Sequence, residues 1–359
     1  LVTGILFVIP ISWASAATVH VANNGLDSST CGSFTAPCRS IGRGLDNARA
    51  DDTVLVQPGR YGDLDRDGVL GGVGEETPDG EAALRISKPV KVLSTNGAVS
   101  TVIDGGSATQ AAVEIASSNV TFGGIETGFT LIGGRDYGLF TDGFTNVRIS
   151  GNVVRGAPSS GMLVISAGAI EVSDNVASDN PINGISAVSR IENGHVLVRR
   201  NKVYSNGTGI SVAFLGSHEV SFNEMSDNGV GLSVDHRPTL VFRNLVTGNR
   251  IGIIAASFTP GNLPATGPLI VRNTLIANSE VGILLTAAPV RVTLRENNFY
   301  GNGLQNTFFP NCGIANVSNA PVSAANSYWG APTGPGADPA DVACGSDPVV
   351  TTPFARAAH

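Results

Sequence analysis

Three groups of residues have the types and spacing to do chemistry. The first is Asp63-Leu64-Asp65-Arg66-Asp67-Gly68, followed by Glu75 and Glu76. Hard cations such as Ca2+ take several carboxylate and carbonyl oxygens. Alternating Asp residues gather three carboxylates around one point, and Gly permits the sharp turn. The Val69 carbonyl and Glu75 can complete the set, although a full helix-flanked loop needs its bidentate Glu one residue earlier, where Gly74 stands. The expectation is a short structural Ca2+ loop made by Asp63, Asp65, Asp67, Val69 and Glu75. A solvated acidic insertion is the other reading.

The second group, Asp235-His236-Arg237, joins an acid, a titratable ring and a cation at the end of a β-type run. That mixture suits removal of a proton beside a sugar carboxylate, and its plain alternative is a strand-to-loop junction with a local salt bridge. The third group is a stripe, Arg200, Phe222, Arg243 and Arg272, with Arg199 and Arg295 adjacent. Guanidinium groups and one ring, stacked in line, would contact carboxylates or sulfates and the face of a sugar. A solvated turn edge is the alternative.

These groups are positioned by a repeat. Asn pairs five residues apart recur as Asn175/Asn180, Asn201/Asn206, Asn223/Asn228, Asn244/Asn249, Asn273/Asn278 and Asn297/Asn302, with first members 26, 22, 21, 29 and 24 residues apart. A short β-type run precedes most pairs (Val196-Leu197-Val198, Leu240-Val241-Phe242, Leu269-Ile270-Val271), and Gly plus an apolar residue follows (Gly184-Ile185, Gly209-Ile210, Gly231-Leu232). Units this short cannot close a core alone, so they must stack. No Leu-x-x-Leu-x-Leu framework and no helical period lies between the strands, which excludes a leucine-rich repeat. Asn tolerates the left-handed backbone of tight corners, and amides stacked at strand spacing can bond into ladders. The pattern predicts a parallel β-solenoid. Ser186, Ser211, Ser233, Ile254 and Leu284 then face outward from one sheet, a small and apolar surface.

Composition agrees. Of 359 residues, 45 are Gly, 28 are Asn and only 14% are charged, so turn formers abound and helix formers are scarce. A net charge of -7 gives no footprint for nucleic acid. Leu1 to Ala16, an apolar run followed by Ala14-Ser15-Ala16, reads as a secretory signal segment, with a short buried strand as the alternative. No later stretch is long and apolar enough to span a membrane. The four Cys then pair, Cys31 with Cys38 across a short loop and Cys312 with Cys344, because Cys-x-x-Cys metal spacing is absent.

Over roughly residues 53 to 330, these repeats resemble the right-handed parallel β-helix proteins of the pectate-lyase-like superfold, in particular exported bacterial β-helix repeat proteins. The handedness comes from that resemblance. Asp51-Asp52-Thr53-Val54-Leu55-Val56-Gln57-Pro58-Gly59 is similar to the opening segment of those proteins, and Asn326-Ser327-Tyr328-Trp329-Gly330 to their closing segment. Ile41, Leu45 and Ala48 predict an amphipathic capping helix within residues 40–49. The expected organisation is a signal segment (1–16), an N-terminal segment with its cap (17–61), an acidic loop (62–80), coils (81–325) and a closing segment with tail (326–359).

The resemblance implies a monomeric secreted, periplasmic or cell-surface protein whose partner is a polysaccharide or cell-surface glycan. It acts as a binding module, as a lyase, hydrolase or epimerase of acidic glycans, or as a structural adhesin. The Gly-His-Gly, Asn-Thr-Asp and adjacent Asp-Asp signatures of polygalacturonase relatives are missing from the coils. Asp235-His236-Arg237 is similar to the Asp-Pro-His-Asp site of alginate epimerases, lacking the Pro and carrying Arg237 for the second Asp. The copper-maturation β-helix group has similar repeats, but two Met and scattered His do not suit soft-metal delivery.

Overall fold

Each coil lays its apolar residues on those of the coil before it, because Val, Ile and Leu recur at the coil period. A computed structural model describes residues 15–235, 238–256, 267–286 and 292–359. Among them, stacking generates three long sheets. Sheet I runs from Thr18–Val21 to Thr293–Arg295 in 11 strands, and sheet II from Gly59–Gly62 to Asn298–Tyr300 in 10. Sheet III runs from Ala82–Ile86 through Cys312–Val317 to Val342–Gly345 in 11. The chain visits sheets I, II and III in turn, and neighbouring strands pair in parallel, as His195–Arg199 does with Ala169–Ser173 and Ser217–Ser221. This is a right-handed parallel β-helix.

One buried row per sheet forms the core. Val172, Val198, Val220, Val241, Ile270 and Leu294 stack inside sheet I, and Ala177, Val203, Met225, Val246, Leu275 and Phe299 inside sheet II. Ile185, Ile210, Leu232, Ile253, Ile283 and Ile314 do the same inside sheet III.

The Asn pairs make two continuous ladders. At the corner between sheets I and II, the side-chain N–H groups of Asn152, Asn175, Asn201, Asn223, Asn244 and Asn273 each donate to the Oδ1 of the next Asn at 2.9–3.2 Å. Between sheets II and III, Asn180, Asn206, Asn228, Asn249, Asn278 and Asn302 repeat the arrangement. One expectation is corrected. The left-handed residue is not the ladder Asn but the residue before it: Asp174, Arg200, Phe222, Arg243, Arg272 and Glu296 have φ of 52–59°. Each Asn amide must turn inward to bond the next coil, so the preceding residue takes the bend and keeps its side chain outside.

The capping helix α1 is shorter than the sequence predicts, Ile41–Asn47. Ser40 Oγ accepts the Arg43 N–H at 3.1 Å as N-cap. Lys88 Nζ ends the helix by donating to the carbonyls of Leu45, Asp46 and Ala48. At the other end of the solenoid Trp329 is fully buried and stacks on Phe299 at 4.9 Å, so it seals the last coil. Both expected disulfides are formed, Cys31–Cys38 and Cys312–Cys344. Among the described residues no helix is long and apolar enough to cross a membrane.

Candidate functional site

The short turn from sheet I to sheet II exposes one side chain per coil, and over six coils it reads Asp174, Arg200, Phe222, Arg243, Arg272, Glu296. The sequence stripe is therefore a true line of neighbours, at roughly 4.8 Å per coil. Its electrostatics differ from a ladder of unpaired cations. Arg200 grips Asp174 with two bonds of 2.7 and 2.8 Å, and Arg272 holds Glu296 at 2.7 Å. The Arg200 hydrogen bonds keep the Asp174 carboxyl below its usual range, and Arg272 does the same for Glu296. Asp174 and Glu296 were missed, although they occupy the same position before Asn175 and Asn297.

Between these neutral pairs lies an aromatic platform. Phe222 meets Phe242 edge to face at 5.6 Å, and the Arg243 guanidinium lies 5.9 Å from one ring and 5.1 Å from the other. Phe222 is 48% exposed. Arg243 has no ion-pair partner among the described residues, unlike Arg200 and Arg272. An open cleft of about 530 Å³ adjoins it, lined by Leu245, Arg272, Thr274 and His359. Beside the corner, on the outer face of sheet I, Glu171 accepts from Arg148 at 3.2 Å and from Arg199 at 2.8 Å. Burial pushes the Glu171 carboxyl up, but the hydrogen bonds from Arg199 and Ser173 and the two nearby cations leave it lowered.

The acidic loop brings one carboxylate oxygen from each of Asp63, Asp65 and Asp67 within 4.8 Å of one another. Such a trio has the chemistry for a hard cation. Glu75 is not part of it. Its carboxylate accepts the N–H groups of Leu64 and Gly72, both at 2.8 Å, and so clasps the loop onto itself. Val69 donates its N–H to Asp67 at 2.7 Å. Glu76, the next residue along, reaches further. It is buried and accepts Ile41 N–H at 2.6 Å and Gly42 N–H at 2.9 Å, fastening the loop to the start of α1. Burial pushes its carboxyl up to about 7 despite those two bonds.

Asp235 follows the strand Val230–Val234 and is 2% exposed, its N–H donating to the Val212 carbonyl at 3.0 Å. His236 and Arg237 lie outside the described residues, as do residues 1–14 of the expected signal segment.

The comparisons fit this architecture. Residues 186–328 match the family described as right handed beta helix region, and residues 82–251 match one described as periplasmic copper-binding protein (NosD). Among solved structures, XylC in complex with xylose is 11% identical over 88% of this chain and 68% of that chain, with a TM-score of 0.50. The A-module of mannuronan C-5 epimerase AlgE6 from Azotobacter vinelandii is 15% identical over 87% of this chain and 94% of that chain, at 0.47. Pectate lyase Pel9A is 15% identical over 96% and 79%, at 0.46. No curated protein matches the chain.

A copper ion finds no soft donor set among the described residues. All four Cys are in disulfides, and Met162 and Met225 are fully buried in the core. His195 Nδ1 is bound to the Ser217 carbonyl, and His218 is buried, which holds its ring down to about 4. What sequence, topology and comparisons share is the scaffold: the chain is a right-handed parallel β-helix repeat protein.

Proposed function

We propose that this β-helix is an exported polysaccharide-interacting module that engages a polymer along the corner between sheets I and II. One observation carries the reading. A left-handed backbone favours Gly, Asn or Asp, yet four consecutive coils place Arg, Phe, Arg and Arg there. Bulky side chains at a conformation that costs of order 1 kcal/mol each point to what they do outside rather than to the turn itself. Arg243 over two rings supplies a cation and an apolar surface, suited to the carboxylate and the face of a sugar. Two disulfides support an oxidising compartment, and the family matched by residues 82–251 is named as periplasmic. A structural Ca2+ held by Asp63, Asp65 and Asp67 belongs to the same proposal.

The test is retention on an immobilised polyuronate. Phe222→Ala and Arg243→Ala should each weaken retention, the second in a salt-dependent way, while folding is kept. Unchanged retention in both variants would sink the corner as a binding surface.

A further inference from the structure

The outer face of sheet I carries a second depression. It is an open cleft of about 570 Å³ running across the strands from Lys91 to His195. Register explains its course. Lys91, Thr121, Arg148, Glu171 and Leu197 are successive partners in one outward row, four strand steps or roughly 19 Å long.

The charges in the row are unevenly satisfied. Glu171 is held by both Arg148 and Arg199. Lys91 is exposed and has no ion-pair partner among the described residues, so it is the cation the cleft leaves open. At the rim Asn146 Nδ2 donates to Asn119 Oδ1 at 2.6 Å, and both residues hold left-handed turns, with φ of 54° and 61°. That single bond leaves an N–H donor on Asn119 and a carbonyl acceptor on Asn146, the pair of functions a sugar hydroxyl matches. His195, with Nδ1 bound to the Ser217 carbonyl at 2.6 Å, keeps Nε2 as an acceptor when neutral. Asp51, exposed at the Lys91 end of the cleft, opposes an anion there.

We propose that this cleft is a second carbohydrate site, in which Lys91 takes the carboxylate of a uronate unit and the Asn119–Asn146 amides take its hydroxyls. The proposal rests on the polysaccharide reading above and adds a distinct location to it. A polymer following sheet I along the axis would meet this cleft before reaching the Phe222–Arg243 platform.

The experiment is calorimetric titration of the full chain with a galacturonate hexamer, with a xylose hexamer as neutral control. Lys91→Ala should weaken hexagalacturonate binding roughly fivefold, and Lys91→Glu further. Asp51→Asn should strengthen it, an opposite sign that loss of fold would not produce. Asn119→Ala should weaken both ligands, and thermal midpoints of the Lys91 and Asp51 variants should match the parent. Hexagalacturonate affinity unaffected by the Lys91 and Asp51 variants, but reduced by Phe222→Ala, would overturn the cleft and leave the corner standing. A parent protein that does not bind hexagalacturonate overturns the cleft as well, whereas failure of the corner alone shows as Phe222→Ala being silent while Lys91→Ala is not.

Discussion

Asn302 donates its side-chain N–H to Asp341 at 2.7 Å, so the second amide ladder ends on a buried carboxylate rather than on another amide. Asn302 also donates its backbone N–H to the same group, at 3.2 Å. Burial pushes the Asp341 carboxyl up to about 6, although the Asn302 bonds pull it down. An elevated native value means that the folded protein holds a proton there which the unfolded chain has released. Stability from this site is therefore complete below about pH 4 and is lost as pH rises through about 6. Asp341→Asn should flatten that part of the stability-against-pH curve, read by urea denaturation between pH 4 and 7. A curve of unaltered slope would count against the assignment.

Glu76 gives a second pH window by the same sign, from its ordinary value near 4.5 to about 7. Asp27, Arg39 and Tyr61 are the charged or titratable groups around it. Glu76→Gln keeps one acceptor for the α1 N–H groups and removes the titration. Amide exchange of Ile41 and Gly42 should then lose its pH dependence beyond the intrinsic chemical rate. Exchange that still follows the parent profile would mean that another group sets it.

Asn223 receives bonds from Asn201 and donates to Val198 and Asn244. Asn223→Ala strands several buried polar groups at once, at a cost of about 1 to 3 kcal/mol for each one left unmet. The urea midpoint should fall clearly, and fall further than for Arg200→Ala, which removes an exposed ion pair of at most about 1 kcal/mol.

Ca2+ should raise the thermal midpoint of chelator-treated protein, and Asp63→Asn should abolish the rise. Saturation at a hundredfold over Kd corresponds to about 2.7 kcal/mol. A midpoint indifferent to Ca2+ from micromolar to millimolar removes the ion from the acidic loop.

The two disulfides close loops of 7 and 32 residues. Chain entropy makes the longer closure worth about 1 kcal/mol more, within a total of about 2 to 4 kcal/mol each. Replacing Cys312 and Cys344 by Ala should lower the denaturation midpoint more than replacing Cys31 and Cys38.

The coils were legible because ladder Asn and core apolar residues recur at fixed offsets, which is all a one-dimensional stack requires. The same offset would have yielded Asp174 and Glu296, since register alone puts them in line with Arg200 and Arg272. Glu76 could not be found that way. Its partners stand 34 and 35 residues upstream, outside the periodic region, and only the folded loop brings them together. The Lys91 cleft escaped for a related reason: Lys91, Thr121 and Arg148 come from coils before the regular Asn pairs begin, so the repeat marks only its Glu171 and Leu197 end. The misplacement of the left-handed residue arose from propensity. Asn favours that conformation, but a side chain already bonded to the next coil leaves the bend to its neighbour.

That displacement of the bend by one residue separates two jobs that a single position would otherwise share. The buried amide fixes coil to coil, while the exposed residue before it is free to vary in chemistry without disturbing the stack. Corner side chains couple only to the next coil, as Arg200 does to Asp174 and Arg272 to Glu296, and substitutions at different corners should combine almost additively when they are more than two coils apart. If the corner engages a polymer as proposed, drift toward Gly or Asn at Arg200, Phe222, Arg243 and Arg272 would relieve backbone strain and remove the contacting side chains together, so stability and ligand would pull these four positions in opposite directions.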